Sequence, residues 1–334
     1  MTPFGFISTT YRHHTKLILG TLILAMIVIL LGAYTRLTNA GLSCPDWPNC
    51  YGFITAPHTP SQLRSAAEKF PLIPVDVKKA WTEMTHRYVA GTEGILILVF
   101  AFSLLLGSYA KHFKTILIAL GLITLLVIQV LLGMLTVTEQ LHPFIVVAHL
   151  LTGLSLLSLL WWAYLDLPLR QFPFFKYKNY QTHAMLIPLL WFALLIVFTQ
   201  IALGGWVSSH HAGLVCVDFP YCNGQLFPAL QWNAIDHHLI TIHMLHRIGA
   251  AVTAIYLFIM SLFLLKYPLF RFQALFIIGI VATQLTLGIL NIIWLRPIWI
   301  AMLHHAIAIL LLLTIITLLV KLYVARNHHD AIMA

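Results

Sequence analysis

The chain has 334 residues, of which 60% are hydrophobic and only 9% charged. Soluble domains carry about 25% charged residues, so a water-soluble enzyme, a disordered chain and a collagen-like fibre are all excluded. The net charge of +9 comes without the basic stripe of a nucleic-acid-binding domain.

Crossing about 30 Å of hydrocarbon takes roughly 20 apolar residues. Eight stretches reach that length, near 17–37, 87–108, 115–137, 143–165, 184–206, 243–265, 272–293 and 299–321. The predicted fold class is therefore an all-α membrane protein with eight transmembrane helices. Basic residues gather in alternate connections: Arg12 and Lys16, then Lys111 and Lys114, then Arg170, Lys176 and Lys178, then Lys266 and Arg271, and finally Lys321 and Arg326. Between Val207 and Thr241 there is no Lys or Arg. The positive-inside rule then puts both termini in the cytoplasm. The first external loop, with Arg64, Lys69, Lys78 and Lys79, is long enough to weaken that rule. Thr38-Asn39-Ala40 loosely resembles a signal-peptide cleavage site, but the apolar run from Leu17 to Ala33 is longer than such a leader needs, and the first span is expected to remain.

The two halves of the chain match each other. GLSCPDWPNCYG at 41–52 faces GLVCVDFPYCNG at 213–224, an offset of 172 that also carries Gly32 onto Gly204. His86-Arg87 corresponds to His246-Arg247. Gln129, Gly133 and His149 fall on Gln284, Gly288 and His304 at an offset of 155. Four spans per half give both halves the same orientation, with a pseudo-symmetry axis along the membrane normal. The expectation is two pseudo-symmetric four-helix bundles, 1–170 and 171–334.

Ten acidic residues stand against 18 histidines, and an ionisable residue inside a span marks function by default. The duplication selects four: His86, His149, His246 and His304. Each lies near the outer start of an even-numbered span, so all four share a depth toward the external face. Two histidines from facing helices can supply both axial ligands of a heme iron, and two bundles make two such sites. Arg87 and Arg247 follow two of these ligands and are candidates for pairing with heme propionates, or are snorkelling interfacial arginines. Non-heme iron or zinc would need more carboxylates or cysteines nearby. His305 is the rival of His304, but the Gln-to-His interval of 20, from 129 to 149 and from 284 to 304, favours His304. His13, His14, His328 and His329 fall in cytoplasmic tails. His210, His211, His237 and His238 fall in the second long external loop, where a role in heme entry is conceivable.

The halves differ beside the first histidine of each. Glu83 precedes His86 by three and shares its helix face, whereas the matching residue in the second half is His243. A carboxylate beside one heme alone is a candidate for proton handling, or for a helix-start acid that satisfies the dipole. Glu93, matched by Thr253, is a second acid within the same span. The four cysteines form two C-x5-C pairs, Cys44/Cys50 and Cys216/Cys222, in external loops whose compartment permits disulfides. They read either as two loop staples or as one staple plus one pair, the first, that exchanges with a redox partner.

Eight spans in two fused bundles, EMTHR at 83–87, HLLTG at 149–153, HMLHR at 243–247, LHHA at 303–306 and the paired C-x5-C loops together resemble the heme A synthase family over nearly the whole chain. The resemblance implies a heme-dependent oxidoreductase of the bacterial cytoplasmic membrane. Its reaction converts the C8 methyl of heme O to the formyl of heme A by successive hydroxylations. It implies substrate heme O between His86 and His149 with Glu83 as catalytic acid, and heme b between His246 and His304 relaying electrons. It also implies disulfides within both cysteine pairs. Heme O synthase, an electron donor, membrane lipid and a second copy of the chain are the expected partners. Two other readings compete: a di-heme cytochrome b that only passes electrons from quinol, and a transporter built on parallel repeats. Electron carriage alone does not call for the Glu83/His243 difference. A transporter is expected to break its spans at midplane, whereas the Gly and Pro residues here cluster at span ends.

Overall fold

A computed structural model describes residues 4–107, 112–166 and 185–333, with side chains from 14 to 323. Lys111, Arg170, Lys176, Lys178 and the expected 170/171 boundary lie outside the described residues, as do the side chains of Arg12, His13, Arg326, His328 and His329. Among the described residues there are nine α-helices joined by loops: α1 Phe4–Leu37, α2 Pro60–Lys69, α3 Val77–Leu106, α4 Phe113–Thr138, α5 Pro143–Asp166, α6 Leu186–Ser209, α7 Leu239–Leu264, α8 Arg271–Ile293 and α9 Ile298–Met333. All but α2 are long and apolar enough to cross a membrane. Their outer faces carry exposed residues such as Ile23, Ile95, Val99 and Ile255, which suits hydrocarbon as the solvent.

Local sequence explains the helix starts. Asp76 caps α3, its Oδ1 accepting from the Lys79 amide at 3.1 Å. That cap begins α3 ten residues before the apolar stretch at 87, because Lys78, Lys79 and Glu83 interrupt the hydropathy but not the helix. The short amphipathic α2 has no counterpart among the expected elements. It opens with a capping box, in which Thr59 accepts from the Gln62 amide and the Gln62 side chain accepts from the Thr59 amide.

The helices pack as two units, one of residues Lys16–Leu159 and one made mainly of Leu160 onward. In the second, α6 meets α7, α7 meets α8, α8 meets α9, and α9 returns to α6, which closes a four-helix ring. In the first, α3 packs on α4, α1 meets α3 where Gly32 faces His86, and α4 meets α5 where Gly133 faces His149.

The duplication is written into the backbone as well as the sequence. Among the described residues, every position with positive φ has a repeat partner: Asn39 with His211, Tyr51 with Asn223, Gly52 with Gly224, Gln140 with Leu295, and Leu141 with Arg296. Left-handed backbone is costly for non-glycine residues. Sharing it at the same five places means that both halves keep the same loops and the same helix-to-helix turns.

Candidate heme sites and the disulfide loops above them

Each of the four repeat-related histidines sits on a glycine of the preceding long helix. A Cβ added at Gly32 would lie 3.0 Å from Cε1 of His86, and one at Gly204 would lie 3.1 Å from Cε1 of His246. The same construction gives 3.2 Å from Gly133 to His149 and 3.3 Å from Gly288 to His304. Any side chain at these positions would push the imidazole aside. The glycines therefore let the rings lie against neighbouring backbone inside each unit.

His86 on α3 and His149 on α5 belong to one unit, and His246 on α7 and His304 on α9 to the other. The Nε2 of His149 lies 3.5 Å from Gln129 Nε2, and that of His304 lies 3.2 Å from Gln284 Nε2. For His86, His149 and His304 the Nδ1 atom is buried and has no hydrogen-bond partner. Buried polar atoms seldom stay unpaired without a reason; in His149 and His304 the ring nitrogen with a lone pair is Nε2, which accepts from a side-chain amide, and a neutral imidazole lone pair suits axial ligation of heme iron. The residues present thus fit a bis-histidine heme in each unit. Gln284 and Gly288 both meet His304, and neither meets His305. Among the described residues no three His, Cys, Asp or Glu gather as a zinc or non-heme iron site would require.

Glu83 is 3% exposed and lies in the second turn of α3, so it is no first-turn acid. Its Oε1 pairs with Arg87 Nη2 at 2.5 Å, and its Oε2 accepts from the Cys44 amide at 2.9 Å. In the second unit His243 Nδ1 reaches the Ala212 carbonyl at 2.8 Å. The two counterparts therefore both tie the loop before their helix to it, and only the first is a carboxylate. Glu93 is buried at 8% exposure, as is its counterpart Thr253.

Both cysteine pairs are disulfides, Cys44–Cys50 and Cys216–Cys222, each with a Cα–Cα distance of 4.6 Å. An aspartate inside each loop holds the turn. Asp46 accepts from the amides of Tyr51 (2.5 Å) and Gly52 (2.8 Å), and Asp218 accepts from those of Asn223 and Gly224, both at 2.7 Å. Gly52 and Gly224 have φ of +79°, the left-handed region that favours glycine. Bonding to Gly224 first, and also to Asn223, holds the Asp218 carboxyl below the usual carboxylate range. Burial, with Glu83 next, pushes the Tyr51 phenol up.

Arg87 and Arg247 serve these loops. Arg87 Nη1 donates to the carbonyls of Asn49 (2.8 Å), Asp46 (3.1 Å) and Pro48 (3.3 Å). Arg247 donates to those of Tyr221 (2.8 Å), Cys216 and Asp218, the last two at 3.1 Å. A cavity of about 400 Å³ opens beside Arg87, between Trp47, Asn49, Ile54 and Tyr88. The external histidines have local roles: His238 caps α7, His237 pairs with Asp236 at 3.1 Å, and His210 bonds to the Trp206 carbonyl at 2.9 Å.

Eight apolar helices in two repeated units, each with a pair of repeat-related histidines and a disulfide loop, define a polytopic all-α membrane protein built by duplication. Comparison with known proteins narrows this class. A family model described as cytochrome oxidase assembly protein matches residues 15–316. The heme A synthase of Shewanella oneidensis is 38% identical, over 91% of this chain and 95% of its own length. Those of Ehrlichia ruminantium (strain Gardel) and Neorickettsia sennetsu are 28% and 26% identical over 88% and 87% of this chain. The chain belongs to the heme A synthase family.

Proposed function

We propose that this protein is a heme A synthase of the bacterial cytoplasmic membrane, oxidising the C8 methyl of heme O to a formyl group by successive hydroxylations. The observation that carries this reading is a duplicated histidine pair with a buried carboxylate, Glu83, beside only one copy. The substrate half, 1–170, holds heme O between His86 and His149. The other half, 171–334, holds heme b between His246 and His304. When bound, heme b supplies a one-electron relay to the substrate site.

The chain's own residues bind, orient and handle protons. Gly32 and Gly133 let the two imidazoles of the substrate half lie against the helices, which fixes where their ring nitrogens point. Glu83 is held at Oε1 by Arg87 and at Oε2 by the Cys44 amide, so its carboxyl group is aimed before substrate arrives. A carboxyl held in this way would serve as the proton acceptor and donor of a heme bound in this half. Its counterpart His243 bonds the Ala212 carbonyl through Nδ1, so the second half has no carboxylate at this position. Arg87 and Arg247 hold the disulfide loops, and their guanidinium groups would be the partners for heme propionates. With eight spans, both termini belong in the cytoplasm and the histidine pairs toward the outer face.

Two variants test this division of labour. Glu83→Ala should keep both hemes while formyl product falls by a factor of about 10² or more, the usual worth of a positioned acid–base group. His246→Ala should lose heme b. A purified His246→Ala protein with an unchanged heme b spectrum would refute that ligand assignment.

A further inference from the structure

The two halves differ at a second place, deeper in the span. Helices α3 and α7 each turn one stripe of side chains into their unit, and the repeat matches the stripes residue by residue. Ile97, Phe100 and Leu104 on α3 are buried, as are Leu257, Met260 and Leu264 on α7. One position at the outer end of each stripe is polar, Glu93 in the first half and Thr253 in the second, and both are more than nine-tenths buried. Ile95, Val99 and Phe102 on the opposite face of α3 are exposed, so Glu93 belongs to the inner face. Glu83 commits its two oxygens to Arg87 and to the Cys44 amide. Among the described residues no hydrogen bond or ion pair reaches the Glu93 carboxyl.

An ionisable residue inside a span marks function by default, and a buried polar group without a partner is costly. Glu93 follows His86 by seven residues, two helical turns, so it shares that histidine's face about 10 Å further into the span. Glu83 lies three residues to the outer side. The two acids thus bracket His86 along one helix, and the second half has neither. A carboxyl group accepts hydrogen bonds when ionised and also donates one when protonated. An alcohol, which donates and accepts, complements either form. Heme O carries an alcohol at the foot of its farnesyl tail, at a ring position where heme b has a vinyl group. That position lies on the edge of the macrocycle away from the propionates, whereas the C8 methyl adjoins a propionate. With propionates toward Arg87, the methyl belongs on the Glu83 side of His86 and the alcohol on the Glu93 side.

Resting on the assignment of the substrate half above, we propose that Glu93 is a specificity-determining residue that recognises the side-chain alcohol of heme O by hydrogen bonding. Thr253 can satisfy its hydroxyl on the carbonyl one turn back, which suits a half whose heme lacks that alcohol. A site built to bond a hydroxyl discriminates strongly against a ligand without it, because its own buried group is then left unpaired.

The probes are heme O and its dehydrated form, which has lost the alcohol as water and kept the tail. Each is titrated by absorbance into full-length protein already loaded with heme b. The wild type should bind heme O about tenfold more tightly than the dehydrated form, the factor that one hydrogen bond of ordinary net strength is worth. Glu93→Leu should bind the two equally. Glu93→Gln, whose carboxamide also donates and accepts, should keep the preference. Glu93→Val has the shape of Thr253 and decides the matter if the leucine variant fails to fold. A preference for heme O that survives leucine or valine, is lost with glutamine, or is missing from the wild type would overturn the inference and leave the functional reading standing. Wild-type protein that takes up neither probe beside its heme b would overturn both.

Discussion

At the scale of single residues, the four repeat-related histidines fit where they do because glycines stand opposite them. Gly204 has 3.1 Å between a would-be Cβ and the His246 ring, whereas Gly20, elsewhere on α1, has nothing within 4 Å. Gly204→Ala should therefore cost about 1–3 kcal/mol of overpacking and lose heme b, while Gly20→Ala should be neutral or stabilising by up to about 1 kcal/mol. Heme content per purified protein checks both, and equal heme retention in the two would refute the packing argument. The repeat made Gly32, Gly133, Gly204 and Gly288 legible as matched positions in the sequence. Their purpose was not legible, because which ring meets which glycine depends on helix rotation.

At the scale of elements, the disulfide loops are small rigid bodies tied to the helices beneath them. Each combines a disulfide, an aspartate that collects two amides and an arginine that collects three carbonyls. The spacing C-x-D-x3-C with an arginine further on was visible in the sequence, but the arginines read there either as propionate partners or as snorkelling interfacial residues. Their hold on the loop carbonyls became visible only once the chain was folded back on α3 and α7. Helix α2 went unread because its ten residues are too short and polar for the span criterion, although Thr59-Pro60-Ser61-Gln62 is a capping-box signature. The Asp218 clamp has a pH dependence whose sign follows from its shift. Its folded-state pKa lies below the ordinary value of 3.8, so its contribution is present above that value and is lost as pH falls through the folded one. The Cys216–Cys222 bond should therefore resist a phosphine reductant at neutral pH and lose that protection in strong acid. Asp218→Asn should be reduced at the same rate at both. Equal reduction rates for wild type and variant at neutral pH would remove the clamp from the account.

At the scale of the whole molecule, one duplication accounts for the architecture. Eight of the nine helices are candidate spans, and the recurrence of left-handed residues at matched positions shows that the repeat preserved loop geometry. Span existence and order were readable from hydropathy alone. Span ends were not, because polar residues such as Lys78, Lys79 and Glu83 extend α3 beyond its apolar run. An even number of spans with basic residues at both ends predicts cytoplasmic termini. Alkaline phosphatase joined after Ser209 should be active and the same enzyme joined after α9 should be silent, with the reverse pattern contradicting the topology.

The central claim is that one half transforms a heme while the other serves it. Its most direct measurement is to produce the protein together with a heme O-forming enzyme, extract the pigments and separate them by chromatography. The account predicts that heme O gives way to heme A with the wild-type chain and accumulates with Glu83→Ala. Protein that carries heme yet never yields heme A would contradict it and leave an electron-carrying cytochrome in its place.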